Sequence, residues 1–110
     1  MNSIFKKIRK AIEEKKQIKF RYEKPDDDKW GERIGNPHTI FISNNTDLGD
    51  HKKIDLVQIS GVGSNDPNRL KQYVFDYIKD VEMLETTFEI NQHYNPNAPS
   101  YEKKFVGVEK

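Results

Sequence analysis

The chain contains no cysteine. That excludes disulfides, thiolate metal sites and cysteine nucleophiles, and it suits a reducing cytoplasm, the expected location. Long apolar runs are missing too. No stretch approaches the roughly 20 residues needed to span a bilayer, so no membrane partner is expected. Lys6 and Lys7 come early and no apolar segment follows them, so the N-terminus does not read as a signal peptide. Only 34% of the 110 residues are hydrophobic, and an equal share is charged. A core with so few apolar residues must lean on its aromatics, here six Phe, five Tyr and one Trp. Their spread along the chain argues against disorder, and the length fits one domain over residues 1–110.

Catalytic signatures are equally scarce. His38, His51 and His93 lie far apart, with no metal-ligand spacing between them. Gly61-Val62-Gly63 has Asp66 where a dinucleotide fingerprint needs glycine. The Asp26-Asp27-Asp28 run lacks the glycine and distal glutamate of a calcium loop. No Gly-x-Ser-x-Gly motif occurs, and no serine is singled out by a neighbouring base. Neither a metal nor another cofactor is expected, and an enzyme is the least favoured class.

What is present is a change of period. Ile4, Phe5, Ile8, Ala11 and Ile12 recur at helical spacing and predict an amphipathic helix that ends near Lys16 and packs on its own fold. Ile18, Phe20 and Tyr22 then alternate with Lys19 and Arg21, the pattern of a half-buried strand. A second strand is expected over Glu32–Ser43, bent or at an edge where Pro37 cannot donate a ladder bond. A third runs over Lys53–Ser60 with Ile54, Leu56 and Gln58 on one face and Val57 and Ile59 on the other, so that both faces are buried. Asn44–Asp50 and Gly61–Asn68 read as loops. Leu70–Tyr77 and Ile78–Leu84 complete the set, Phe88 closes the core, and Tyr101–Val108 adds a short strand after an Asn/Pro-rich stretch. The expected fold is mainly β with one N-terminal helix (residues 1–16), a barrel of about five strands (17–90) and a tail (91–110).

Charge is unevenly distributed. Residues 1–22 hold eight basic and two acidic side chains, whereas the remainder is net acidic. Such a segment can meet an anionic partner or the acidic body of its own fold. Lys19, Arg21 and Arg33 fall on the first two strands and can converge on a phosphate, with Lys52 and Lys53 joining from the third. Tyr22, Tyr73 and Tyr77 can stack on bases. The same residues also fit a plainer role as solvated cations and core aromatics. Exposed strand edges would instead suit a protein-interaction or dimerisation module.

Residues 11–22, Ala-Ile-Glu-Glu-Lys-Lys-Gln-Ile-Lys-Phe-Arg-Tyr, resemble the opening of a WYL domain, where a helix runs into a strand ending in Tyr. Glu32-Arg33-Ile34-Gly35-Asn36-Pro37-His38 is similar to that family's Arg-before-Pro segment, and Tyr73–Ile78 with Val81 and Phe88 is similar to its closing pattern. Tyr94-Asn95-Pro96-Asn97 resembles the tail of a compact subgroup. The Trp-Tyr-Leu triplet is absent, its place taken by Lys52-Lys53-Ile54-Asp55-Leu56-Val57, and Tyr77 stands where many relatives have Arg. The resemblance implies an SH3-like or Sm-like barrel. It also implies a ligand-sensing role, in which relatives bind nucleic acid or nucleotide-like anions and control transcription or bacterial defence. The implied partners are a single-stranded nucleic acid or nucleotide at Arg33, Arg21 and Lys53, a regulatory protein, or a second copy.

If folding needs no metal, a chelator leaves the melting temperature unchanged. A large drop restored by zinc would refute that expectation.

Overall fold

The computed structural model describes residues 3–26, 29–45, 49–63, 66 and 68–109. Asp27 and Asp28 of the acidic run, residues 46–48 within the expected Asn44–Asp50 turn, and the His51 side chain lie outside the described residues. The elements in chain order are α1 (Ser3–Glu14), β1 (Lys16–Tyr22), β2 (Gly31–Asn45), β3 (Gly49–Gly61), β4 (Lys71–Val74), β5 (Ile78–Thr87) and β6 (Lys104–Gly107). Short 3₁₀ turns occupy Phe75–Tyr77 and Pro99–Tyr101.

The apolar stripe forms the helix as expected. Ile8, Ala11 and Ile12 are buried, while Ile4 and Phe5 pack at its margin. The helix stops at Glu14 rather than near Lys16. Lys15 takes a left-handed conformation (φ 54°) and reverses the chain within one residue. Its N–H donates to Ile12 O (3.3 Å), and its carbonyl accepts from Phe88 N (2.9 Å). Such a φ disfavours a side chain by about 1 kcal/mol, so packing on both sides must offset it. Lys52 adds a clamp: its ammonium stands 4.9–5.4 Å from the rings of Phe5, Phe75 and Phe105, tying α1, β3 and β6 together.

All strands are antiparallel, in the order β4-β3-β2-β1-β5, with β6 also on β2. The expected barrel is not closed. The sheet's two outer strands, β4 and β5, are joined through the Phe75–Tyr77 turn and form no ladder. That turn leaves room for side chains instead. Tyr22 Oη accepts from Val74 N (3.0 Å), and Glu23 N donates to Tyr77 O (2.9 Å). An aromatic hydroxyl thus satisfies a backbone donor that a ladder would otherwise serve.

β2 is the longest strand and is paired along one side by β3. Its other side is shared: β1 takes Gly31–Gly35 and β6 takes Thr39–Phe41. Pro37 falls in the gap, and the β2–β3 register shifts just after it, which is the bend its missing N–H called for. The face of β2 and β3 carrying Thr39, Phe41 and Asp55 is covered by Tyr94 and Tyr101. Ile54, Leu56, Val57 and Gln58 are buried as the strand pattern required, but Ile59 is 36% exposed. Burial of the second face of β3 ends at Val57.

Ile8→Ala should cost about 2–5 kcal/mol, since Ile8 is fully buried beneath the helix. Phe5→Ala, at the margin, should cost less. Denaturant unfolding measures both, and a loss below about 0.5 kcal/mol for Ile8→Ala would place that face outside the core.

Candidate functional site: a caged arginine beside a basic edge groove

Strand alternation decides where each candidate side chain goes. Arg33 is the register partner of Phe20, so it shares the inward face of Ile18, Phe20 and Tyr22. It is 4% exposed. Its guanidinium lies 5.3 Å from the Tyr22 ring and 5.4 Å from the Tyr73 ring. Nη1 donates to Tyr73 Oη (3.2 Å) and Nη2 to Lys29 O (2.8 Å). Nε has no hydrogen-bond partner among the described residues. No carboxylate pairs with the cation within salt-bridge distance among those residues. Aromatic faces and neutral oxygens hold it instead.

The network continues from Tyr73. Its hydroxyl donates to Gln58 Oε1, which also accepts from Lys71 Nζ (3.4 Å). Gln58 Nε2 donates to Val62 O (2.7 Å) and Ser60 O (3.3 Å), fixing the Gly61–Gly63 corner. Gly61 has φ +103°, and a β-carbon there would collide with Glu32 O, so the corner must be glycine. Tyr22 and Tyr73 meet edge to face at 4.8 Å, with Tyr77 on the other side of Tyr22 at 6.2 Å. Burial pushes the Tyr22 phenol up, partly offset by its bond to Val74 N.

Lys71 is where this interior network reaches the surface. With Asp66, Arg69 and Gln72 it lines a groove of about 470 Å³ along β4, an outer strand of the sheet. Asp66 is occupied by its own loop, its Oδ1 accepting from Asn68 N (2.9 Å) and its carbonyl from Arg69 N (3.2 Å). Lys53 approaches the groove through Gln72 Oε1 (3.4 Å).

The structure therefore brings Arg33, Tyr73 and Tyr77 together around Tyr22, but not the other candidates. Lys19 and Arg21 alternate onto the opposite face of β1 and pair with Glu82 (3.5 Å) and Glu23 (3.1 Å). Lys53 alternates with Ile54 and Leu56, onto the Asp55 face of β3. The expected convergence of Arg33, Arg21 and Lys53 in one cleft does not occur: two of the three point away from the inward face, and Arg33 is enclosed. Sequence reasoning passed over Lys71 and Arg69, and Gln58 as a site residue. The signal for Gln58 was present, a polar side chain at an inward position between Leu56 and the loop.

Residues 3–46 match the family model of the WYL domain. The match spans α1, β1 and β2, including Arg33, and supports a WYL-family assignment. Domains of this family are in general ligand-sensing or regulatory modules. No curated protein and no solved structure matches the chain. Among the described residues, no helix is long and apolar enough to cross a membrane.

Tyr73→Phe removes the hydroxyl that links Arg33 to Gln58. It should cost about 1–3 kcal/mol, because buried donors and acceptors lose a partner with no change in shape. Thermal or urea unfolding tests this, and a neutral outcome would mean that the network is not built around Tyr73.

Proposed function

We propose that this chain is a non-catalytic sensing module that binds a nucleotide-like or single-stranded nucleic-acid phosphate in the β4 groove. The observation that carries the reading is the double position of Lys71, which lines the groove and also bonds Gln58 of the buried network. Arg69 and Lys71 supply the charge for a phosphate, and Gln72 and Lys53 add donors at its margin. An anion that draws the Lys71 ammonium outward competes with Gln58 for it. The change passes to Tyr73 and Arg33, and from Arg33 to Lys29 O beside Trp30. Arg33 thus serves as a transmitter inside the fold, with Tyr73 and Tyr77 as its aromatic setting. Control of transcription or of a defence system is the use to which such a module would be put.

Trp30 is the sole tryptophan and is 51% exposed, so its fluorescence reads the far end of the network. Nucleotides and short single-stranded RNA and DNA are titrated at low and moderate salt. Wild type should bind more weakly as salt rises. Lys71→Ala and Arg69→Ala should lose at least about tenfold in affinity, with Lys19→Ala unchanged. Equal binding by Lys71→Ala, or no binding by wild type, overturns the reading. The exposed rings of Trp30 and Phe105 favour a second reading, an interaction module. Salt-insensitive self-association without anion affinity would support it.

A further inference from the structure

At the gap in the second edge of β2 lies His38, which takes no part in the Arg33–Tyr73–Gln58–Lys71 network. It is fully buried. Its ring packs against Phe88 at 5.2 Å and Tyr94 at 5.3 Å. Asn91 N lies 2.9 Å from Nε2, and a backbone amide can only donate, so Nε2 is bare. The proton of the neutral ring then sits on Nδ1 and is donated to Asn36 O (2.8 Å). The backbone of the same residue takes a second hold, since His38 O accepts from Val108 N (2.7 Å). One residue therefore grips the C-terminal arm at its start, Asn91, and near its end, Val108. Between those points the arm is fastened by Thr39 Oγ1 to Val106 O (2.8 Å) and by Tyr101 Oη to Asp55 Oδ2 (2.5 Å).

We propose that His38 is a proton-operated latch, and that protonation of its Nε2 releases residues 91–108 from β2 while the rest of the sheet stays folded. A proton on Nε2 would turn the acceptor of Asn91 N–H into a second donor facing it, and would put a charge on a fully buried ring. Release uncovers the β2 edge at Thr39–Phe41 and the face carrying Asp55, a pairing surface that the closed arm denies to partners.

The other titratable groups act differently. Tyr94, packed on the ring, stays neutral throughout the acidic range, and burial raises its phenol further. Asp55, which faces Tyr101 and couples to Tyr94, is also pushed up by burial, so taking up a proton relieves a buried charge and does not open the arm. His93 and Glu89 lie exposed on the arm or at its root. Burial lowers the His38 imidazole below its ordinary value, partly countered by the bond to Asn36 O. A group of this sign takes up protons more readily when released. The closed arm is therefore fully favoured above the ordinary imidazole range, about 6.5, and loses ground as pH falls below it.

The test is residue-resolved hydrogen exchange of the whole chain at about pH 7.5 and about pH 5.5, corrected for intrinsic rates. Protection of the Asn91 and Val108 amides should fall by up to about tenfold at the lower pH, the most that one imidazole can contribute over this interval. The amides of Ile18 and Phe20 in β1 should hold theirs. His38→Gln should lose the pH response, and His93→Gln should keep it. If His38→Gln does not fold, imidazole ¹⁵N shifts of wild type give the same answer: an Nδ1–H tautomer at neutral pH, with protonation coinciding with arm release. Unchanged arm protection, equal loss in β1, or a response abolished by His93→Gln instead would overturn the latch.

Discussion

Successive residues of β2 turn their backbone N–H and C=O groups to alternate edges, and on one of those edges no single strand does the work. β3 pairs with β2 from Arg33 to Asn45, whereas β1 and β6 meet the opposite edge in tandem and leave residues 36–38 between them. A buried gap of that kind would strand donors and acceptors at a cost of a few kcal/mol. The chain closes it with residue types rather than with strand. Pro37 brings no donor, Asn36 O is met by the His38 ring, Asn36 Oδ1 by Gln17 Nε2 (3.0 Å), and His38 O by Val108 N. The first strand and the C-terminal arm are thereby both tied to the middle of β2.

A second constraint acts on the other half of the same strand. A guanidinium cannot shed its charge, so burying Arg33 obliges the surroundings to supply acceptor sites and polarisable faces. Tyr22, Tyr73 and Lys29 O do so, and Gln58 orients Tyr73 in turn. This commits inward positions on β1, β3 and β4 to one cation. It also explains why three tyrosines gather where an apolar core would use Leu or Phe. The network reaches the surface at Lys71.

Much of the fold was legible in the chain because period carries face. The helical stripe from Ile4 to Ile12 and the alternation Ile18, Phe20, Tyr22 each led to the right element and the right side. The proline bend was legible for the same local reason. Closure of the barrel was not, because whether β4 and β5 pair depends on the shape of the Phe75–Tyr77 turn, and a 3₁₀ turn leaves no mark at that length. The site was half legible. Arg33 was singled out, but alternation also says that Arg21, Lys19 and Lys53 face elsewhere, and only the register of β2 against β1 reveals which side Arg33 takes. Lys71 and Arg69 draw their meaning from contacts across the sheet that no spacing encodes.

The single residue between α1 and β1 fixes more than a change of direction. With Lys15 alone as the joint, the rotational phase of the helix and the inward face of the strand form one continuous reading frame. An insertion or deletion of one residue at this joint would turn the helical stripe by about 100° relative to the strand. It would also exchange the two faces of β1 if the slip were taken up there. The joint therefore tolerates changes of residue type far better than changes of length, and among related chains the helix and first strand should be inherited as a block of constant length while the loops beyond Tyr22 vary.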